Sequence, residues 1–307
     1  MALEPDAVLA HPLMKTLLLG AGQRDMMRRM DPTTPELTND APPASSVLSL
    51  PIAPLTMKDP LTWLALGFKD LRRSPGAAAF YGGCFWLMGQ LLFWVFHRSP
   101  ADVLALSAGF LLMGPFVCLG LYDISRRWQW HDQGEAAPPD LGESMLAWTT
   151  SIGPLSLFAG LLLILEMLWG RSAMVVFAVS FNTMPSQVNL LGLLTDPAHL
   201  EFIITYVCVG GVFAGLIYGI SVVSIPLILD KRCDAISAAL VSLKACLSQP
   251  VVMLWWGFLI SLLVVLAMLP YFLGLLLVGP LIGHATWHAY QGVTGARPDS
   301  STTPSSH

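Results

Sequence analysis

Six long apolar segments fill the chain between residues 77 and 290, and basic residues avoid one side of them. The segments run 77–96, 103–122, 148–169, 202–229, 251–269 and 271–290. A helix rises 1.5 Å per residue, so about 20 apolar residues cross roughly 30 Å of hydrocarbon. Of the 16 Lys and Arg, all but Arg98 and Arg171 fall in the N-terminal tail, the loops after the second and fourth segments, and the C-terminal tail. Positive charge marks the cytoplasmic side. The sequence therefore predicts an all-α polytopic membrane protein with six transmembrane helices and both ends cytoplasmic.

The overall composition agrees. Hydrophobic residues make up 54% of the chain and charged residues 12%, about half the usual charged share of a soluble protein. No basic stripe or aromatic-basic module is present, so nucleic acid is not an expected partner. Cys84, Cys118 and Cys208 lie within apolar segments, where a thiol acts as a small hydrophobe. Cys233 and Cys246 fall on the cytoplasmic side, and no CxxC pair occurs. The apolar stretch 13–19 is short and runs into Arg24, Arg28 and Arg29, so the first span is expected to act as an uncleaved insertion signal.

Three regions follow: a disordered cytoplasmic tail over 1–55, a transmembrane domain over 56–291, and a second disordered cytoplasmic tail over 292–307. A short amphipathic helix around 12–30 is an alternative to a wholly mobile arm. Residues 60–74 read as an interfacial helix on the inner leaflet, with Trp63, Leu64, Leu66, Gly67, Phe68 and Leu71 apolar and Lys69, Arg72 and Arg73 at its end. The stretch 172–195 is apolar but broken by Asn182, Pro185, Ser186, Gln187 and Asn189. Two short helices on the outer face, or a re-entrant segment lining a cavity, both fit it.

The segments pair into three hairpins, each starting and ending inside. FKDLRRSP (68–75) and LKACLSQP (243–250) each carry a lysine six residues before a proline that turns into the membrane. LGESMLAW (141–148) leads into the middle hairpin without one. The returning helices carry Pro115, Pro226 and Pro280, each followed by a polar residue near the inner end: Asp123, Asp230 and His284. Proline frees a backbone carbonyl one turn earlier, and that oxygen needs a partner inside the bundle. The fifth and sixth segments are joined by little more than Pro270, so a tight turn is expected there. DAISAALVSLKACL (234–247) reads as a helix under the bundle with Ala, Leu and Val on its buried side.

His284 and His288 are the strongest candidates for chemistry. Four apart on one helix face, they could offer two imidazoles to one metal ion, or titrate beside Asp123 or Asp230. A metal would need further ligands from another helix, and the sequence marks none. The plainer reading has both histidines hydrogen-bonding across helices. Glu166 and Glu201 lie near the outer boundary, where a carboxylate can stay wet. Asp123 with Arg126 and Arg127, and Asp230 with Lys231 and Arg232, mark two inner helix ends. No Walker loop, GxSxG elbow, HExxH or dinucleotide fingerprint occurs. No enzyme activity and no cofactor is expected.

GPFVCLGLYDISRR (114–127), SVVSIPLILDKRCDAISA (221–238) and GPLIGHATWHAY (279–290) together resemble the bacterial predicted-integral-membrane-protein family known as domain of unknown function 2189. The resemblance covers about residues 55–291. It implies an inner-membrane, six-span helical body and no established activity. Some members are labelled as like subunit I of cytochrome c oxidase, whose core needs histidines on several helices; here only His284 and His288 fall within a span.

Three functions compete. The first is a non-enzymatic accessory, assembly or scaffold component, with the lipid bilayer as its surroundings and other inner-membrane proteins as its class of partner. Glycine-bearing faces support it (Gly82, Gly83 and Gly89; Gly210, Gly211, Gly215 and Gly219), since they let helices approach closely. The second is a small-solute or ion transporter, suggested by the repeat and the polar break. The third is a haem- or copper-binding redox protein.

Overall fold

The computed structural model describes residues 44–98, 103–180 and 200–295, all within one compact unit, Ala41–His307. The expected helix at 12–30 and the polar break at 182–189 lie outside the described residues. All regular structure among the described residues is helical. In chain order the helices are α1 (Ala44–Leu48), α2 (Asp59–Arg73), α3 (Pro75–Arg98), α4 (Val103–Asp132), α5 (Leu141–Met145), α6 (Ile152–Ser180), α7 (Leu200–Ser221), α8 (Ser224–Lys231), α9 (Ala235–Ser248), α10 (Pro250–Met268) and α11 (Leu275–Thr294).

Among the described residues four stretches are long and apolar enough to cross a membrane: Pro75–Val95, Leu141–Ser180, Leu200–Lys231 and Pro250–Met268. The second and sixth expected spans correspond to α4 and α11. Each is apolar in its first half and polar in its second, which lowers its average: α4 ends in Asp123, Arg126, Arg127 and Asp132, and α11 in His284, His288 and Gln291. The outward surfaces of α6, α7 and α10 carry Leu157, Ile164, Val207, Val212, Leu254 and Phe258 exposed. So large an apolar surface is stable only in lipid.

Several boundaries differ from expectation. The folded body begins before residue 56: Val47 is buried in the main core, and the Ala53 N–H donates to the Val293 carbonyl at 2.8 Å. Lys244 Nζ donates to the Leu48 and Leu50 carbonyls at 3.2 and 3.1 Å, so the end of the expected tail is held by a lysine of α9. Likewise α11 runs past 291 to Thr294, and Gly295 ends it in the left-handed region. The third expected span continues through 172–180, which extends α6 to Ser180 rather than opening a separate outer helix.

The turn between the fifth and sixth segments is longer than one proline. α10 stops at Met268 and α11 starts at Leu275. Tyr271 and Phe272 both take positive φ, 51° and 63°, a conformation that costs energy for residues other than glycine and reverses the chain sharply. Gln90 Nε2 of α3 donates to the Tyr271 carbonyl at 2.6 Å and anchors this turn.

The overlong fourth span is broken. α7 ends at Ser221 and α8 begins at Ser224, two residues before Pro226. Ser242 on α9 repairs the break: its hydroxyl donates to the Gly219 carbonyl at 2.7 Å and lies 3.4 Å from the Val223 N–H. Beneath it, α9 is capped by Asp234, which accepts from the Ser237 N–H at 2.8 Å. Its buried face is Ala235, Ala238, Ala239, Val241 and Ala245. Leu240 and Leu247 point outward with Ile236, while Leu243 reaches Gly219 of α7.

α11 is the centre of the fold. It packs most extensively on α2, then on α3 and α4, and from Gly283 to Thr294 every residue is buried. A helix buried all round belongs to an interior, not a surface. α6 and α7 pair beside it, with α9 against α7.

Candidate functional site: the polar end of the central helix

The C-terminal half of α11 presents polar side chains in several directions, and they meet α2, α4 and α8. His288 Nε2 lies 2.8 Å from Asp70 Oδ2 on α2, and both side chains are under a tenth exposed. His284 Nδ1 lies 2.8 Å from Ser125 Oγ on α4. Gln291 and Gln129 of α4 exchange amide hydrogen bonds, both 2.6 Å, and Trp287 Nε1 donates to Gln129 Oε1 at 3.2 Å. Tyr290 donates to Asp230 Oδ2 at 2.6 Å, just past the proline-bearing α8 turn.

Close helix approach makes these contacts reachable. At Gly67 a Cβ would stand 2.6 Å from the Ala285 backbone nitrogen, and at Gly292 one would stand 2.7 Å from Trp63 Nε1. α2 and α11 therefore touch backbone to backbone. Trp63, Gly67, Asp70 and Leu71 form one buried face of α2, and Trp63 also packs edge-on to Trp256 of α10. Leu61 and Phe68 lie outside that face and stay exposed.

The expected grouping of His284, His288, Asp123 and Asp230 does not form. The two histidines divide between α2 and α4. Asp123 is buried and engaged by its own helix: Arg126 Nη2 and Arg127 Nε donate to it at 2.5 and 2.7 Å. Arg127 also pairs with Glu143 near α5. Asp230 takes Tyr290 and Lys231. Among the described residues no group of three or more His, Cys, Asp and Glu is placed to hold a metal ion. His284 Nε2 is buried and has no hydrogen-bond partner among the described residues.

The residue that the sequence reading missed is Asp70. Its signal was present: it sits seven residues after Trp63 and three after Gly67, on the apolar face of its helix, where a carboxylate must find a partner. A cleft of about 390 Å³ opens beside the pair, lined by Lys69, Asp70, Arg73, Gln129, Asp132 and His288, among others. At its rim Arg73 donates to Asp132 at 2.8 Å and stacks 4.0 Å over the Trp128 ring. The Arg73 guanidinium holds the Asp132 carboxyl below its ordinary range, and Arg73 is raised in turn.

Residues 103–230 match the model of a family described as "Predicted integral membrane protein (DUF2189)". The resemblance is thus shown from the start of α4 almost to the end of α8. It is narrower than the 55–291 read from the motifs: Asp123 and Asp230 fall within the matched residues, and both histidines of α11 fall outside. Neither a curated protein nor a solved structure shows significant similarity to the chain.

Proposed function

We propose that this integral membrane protein is a non-enzymatic accessory, assembly or scaffold component of a bacterial inner membrane. In this reading it crosses the bilayer six times, as three hairpins with both termini cytoplasmic. One observation carries the reading: the polar side chains His284, His288, Tyr290 and Gln291 of α11 are each engaged by a side chain of another helix. A catalytic or carrier site would hold such groups open to a substrate. Here they act as cross-links that fix α2, α4 and α8 to α11, in a layer that in this reading is cytoplasmic and includes α9.

That layer carries outward apolar side chains: Leu61 and Phe68 on α2, and Ile236, Leu240 and Leu247 on α9. They are the surfaces on which a neighbouring membrane protein would seat. Affinity purification in mild detergent tests the reading. It predicts a stoichiometric co-purifying protein that is lost in the Leu240→Ser, Leu247→Ser variant while the chain itself stays folded. A chain that emerges alone and monomeric contradicts it.

The transporter reading is weaker. The polar side chains of α11 gather in its C-terminal half, and the open volume between α3, α4, α10 and α11 is mostly apolar-lined. Flux across a proteoliposome panel, abolished by replacing His284 and His288, would reverse this ranking.

A further inference from the structure

The volume among the spanning helices has its own chemistry. α10 packs on α11, and towards its start on α9 and α2. Its later half leaves a crevice of about 330 Å³ between itself and α3, α4 and α11. Met88 and Leu92 form one wall, Cys118 the next, and Val264 and Met268 the third. Gly89, Gly279 and Gly283 line it too. Where those glycines face neighbours, a Cβ would run into Phe272, Phe85 and Leu121 respectively. The helices are therefore already in contact around the crevice and cannot close it by moving together.

The polar groups in the lining are few. Thr286 donates to its own helix at Ile282, 2.8 Å away. Tyr122 and Cys118 also line the crevice, and their side chains hydrogen-bond to each other; with methyl, methylene and ring surface elsewhere, the crevice recognises hydrocarbon. Water gains nothing there, since a water needs two or more polar partners, and the size lies within the range of small-ligand sites. Met268, at the α10 rim, is 41% exposed, so the crevice meets the lipid phase directly.

We propose that this crevice is a binding site for one aliphatic chain of a membrane lipid, which fills the gap beside α10 and completes its packing. The headgroup would remain in the bilayer, because no charged residue lines the crevice. The inference is independent of the scaffold reading, since it rests on the spanning helices alone.

Native mass spectrometry of protein extracted in mild detergent from phosphatidylethanolamine and phosphatidylglycerol membranes tests it. The expected result is one retained lipid per chain. Its mass separates a phospholipid from a free fatty acid, and either supports an aliphatic-chain site. Val264→Trp and, separately, Leu92→Phe fill the crevice and should lower occupancy several-fold. Leu157→Trp, on an exposed face of α6, should not. Melting temperature with and without added palmitate guards against misfolding: wild type should gain a few degrees, and the filled variants should melt cooperatively and gain none. A wild-type chain with no bound lipid overturns the proposal. So does retention that is unchanged in cooperatively melting filled variants.

Discussion

The Leu276 carbonyl of α11 rests directly on Gly82 of α3, so close that a Cβ at position 82 would overlap the oxygen. The cause lies four residues on. Pro280 has no N–H, so the Leu276 carbonyl loses its helical partner. Glycine lets the α3 backbone approach that oxygen, and Cα–H groups at such distances give it weak compensation.

Gly82→Ala should therefore destabilise the protein by about 1–3 kcal/mol, the usual cost of overpacking. Gly211, whose Cβ would meet open space, gives the contrast: Gly211→Ala should stay within about 0.5 kcal/mol of wild type. Denaturation in detergent micelles checks both. Equal effects would show that the glycines matter only as a class.

Ser242→Ala removes the hydroxyl that serves the Gly219 carbonyl at the α7–α8 break. A buried acceptor left without a donor costs about 1–3 kcal/mol, and Ser242→Thr should recover part of it. Cys246→Ser, one turn further along α9, should be milder, since its thiol lies 3.9 Å from the same oxygen. Thermal unfolding monitored by circular dichroism reads the order.

How much of this was visible beforehand depends on what each contact needs. The long apolar helices were legible because hydrocarbon demands unbroken apolar length, which one sequence displays. The proline logic was legible too: Pro280 leaves the Leu276 carbonyl to Gly82, while the carbonyl that Ser242 serves is Gly219, at the α7–α8 break seven residues before Pro226. The partners themselves were not, because Ser242 and Gly82 lie on other helices and no local rule assigns them. The histidines were found and their carboxylate was misassigned: Asp123 and Asp230 are nearer in the expected repeat, yet arginines and Tyr290 occupy them. Asp70 was hidden inside a helix read as resting on the lipid surface.

The Arg73–Asp132 pair predicts a pH dependence at the cleft rim. Asp132 has a folded pKa below its unfolded value because Arg73 hydrogen-bonds its carboxylate. Its contribution is thus present above the unfolded carboxylate value of about 4 and lost as pH falls through the folded value. The stability gap between wild type and Asp132→Asn should hold from pH 7 to about 5 and shrink below about 4. The pair is partly exposed, so the gap should also narrow with added salt.

The histidine readings separate by metal content and by fold. If His288 serves to hold α2, a His288→Gln variant should keep the topology and lose stability, and purified wild type should show no stability gain with zinc. A zinc-dependent rise in melting temperature that disappears in both His284→Ala and His288→Ala would favour the metal reading.

Asp70 and His288 lock helix α2 onto the central helix α11. A double-mutant cycle with Asp70→Ala and His288→Ala, measured by reversible unfolding in detergent, tests it most directly. Breaking one side of a buried pair typically costs about 3–5 kcal/mol, so each single change should be severe. The double change should cost clearly less than their sum, with a coupling of about 1.5 kcal/mol or more. Additive losses, with coupling near zero, would contradict the claim.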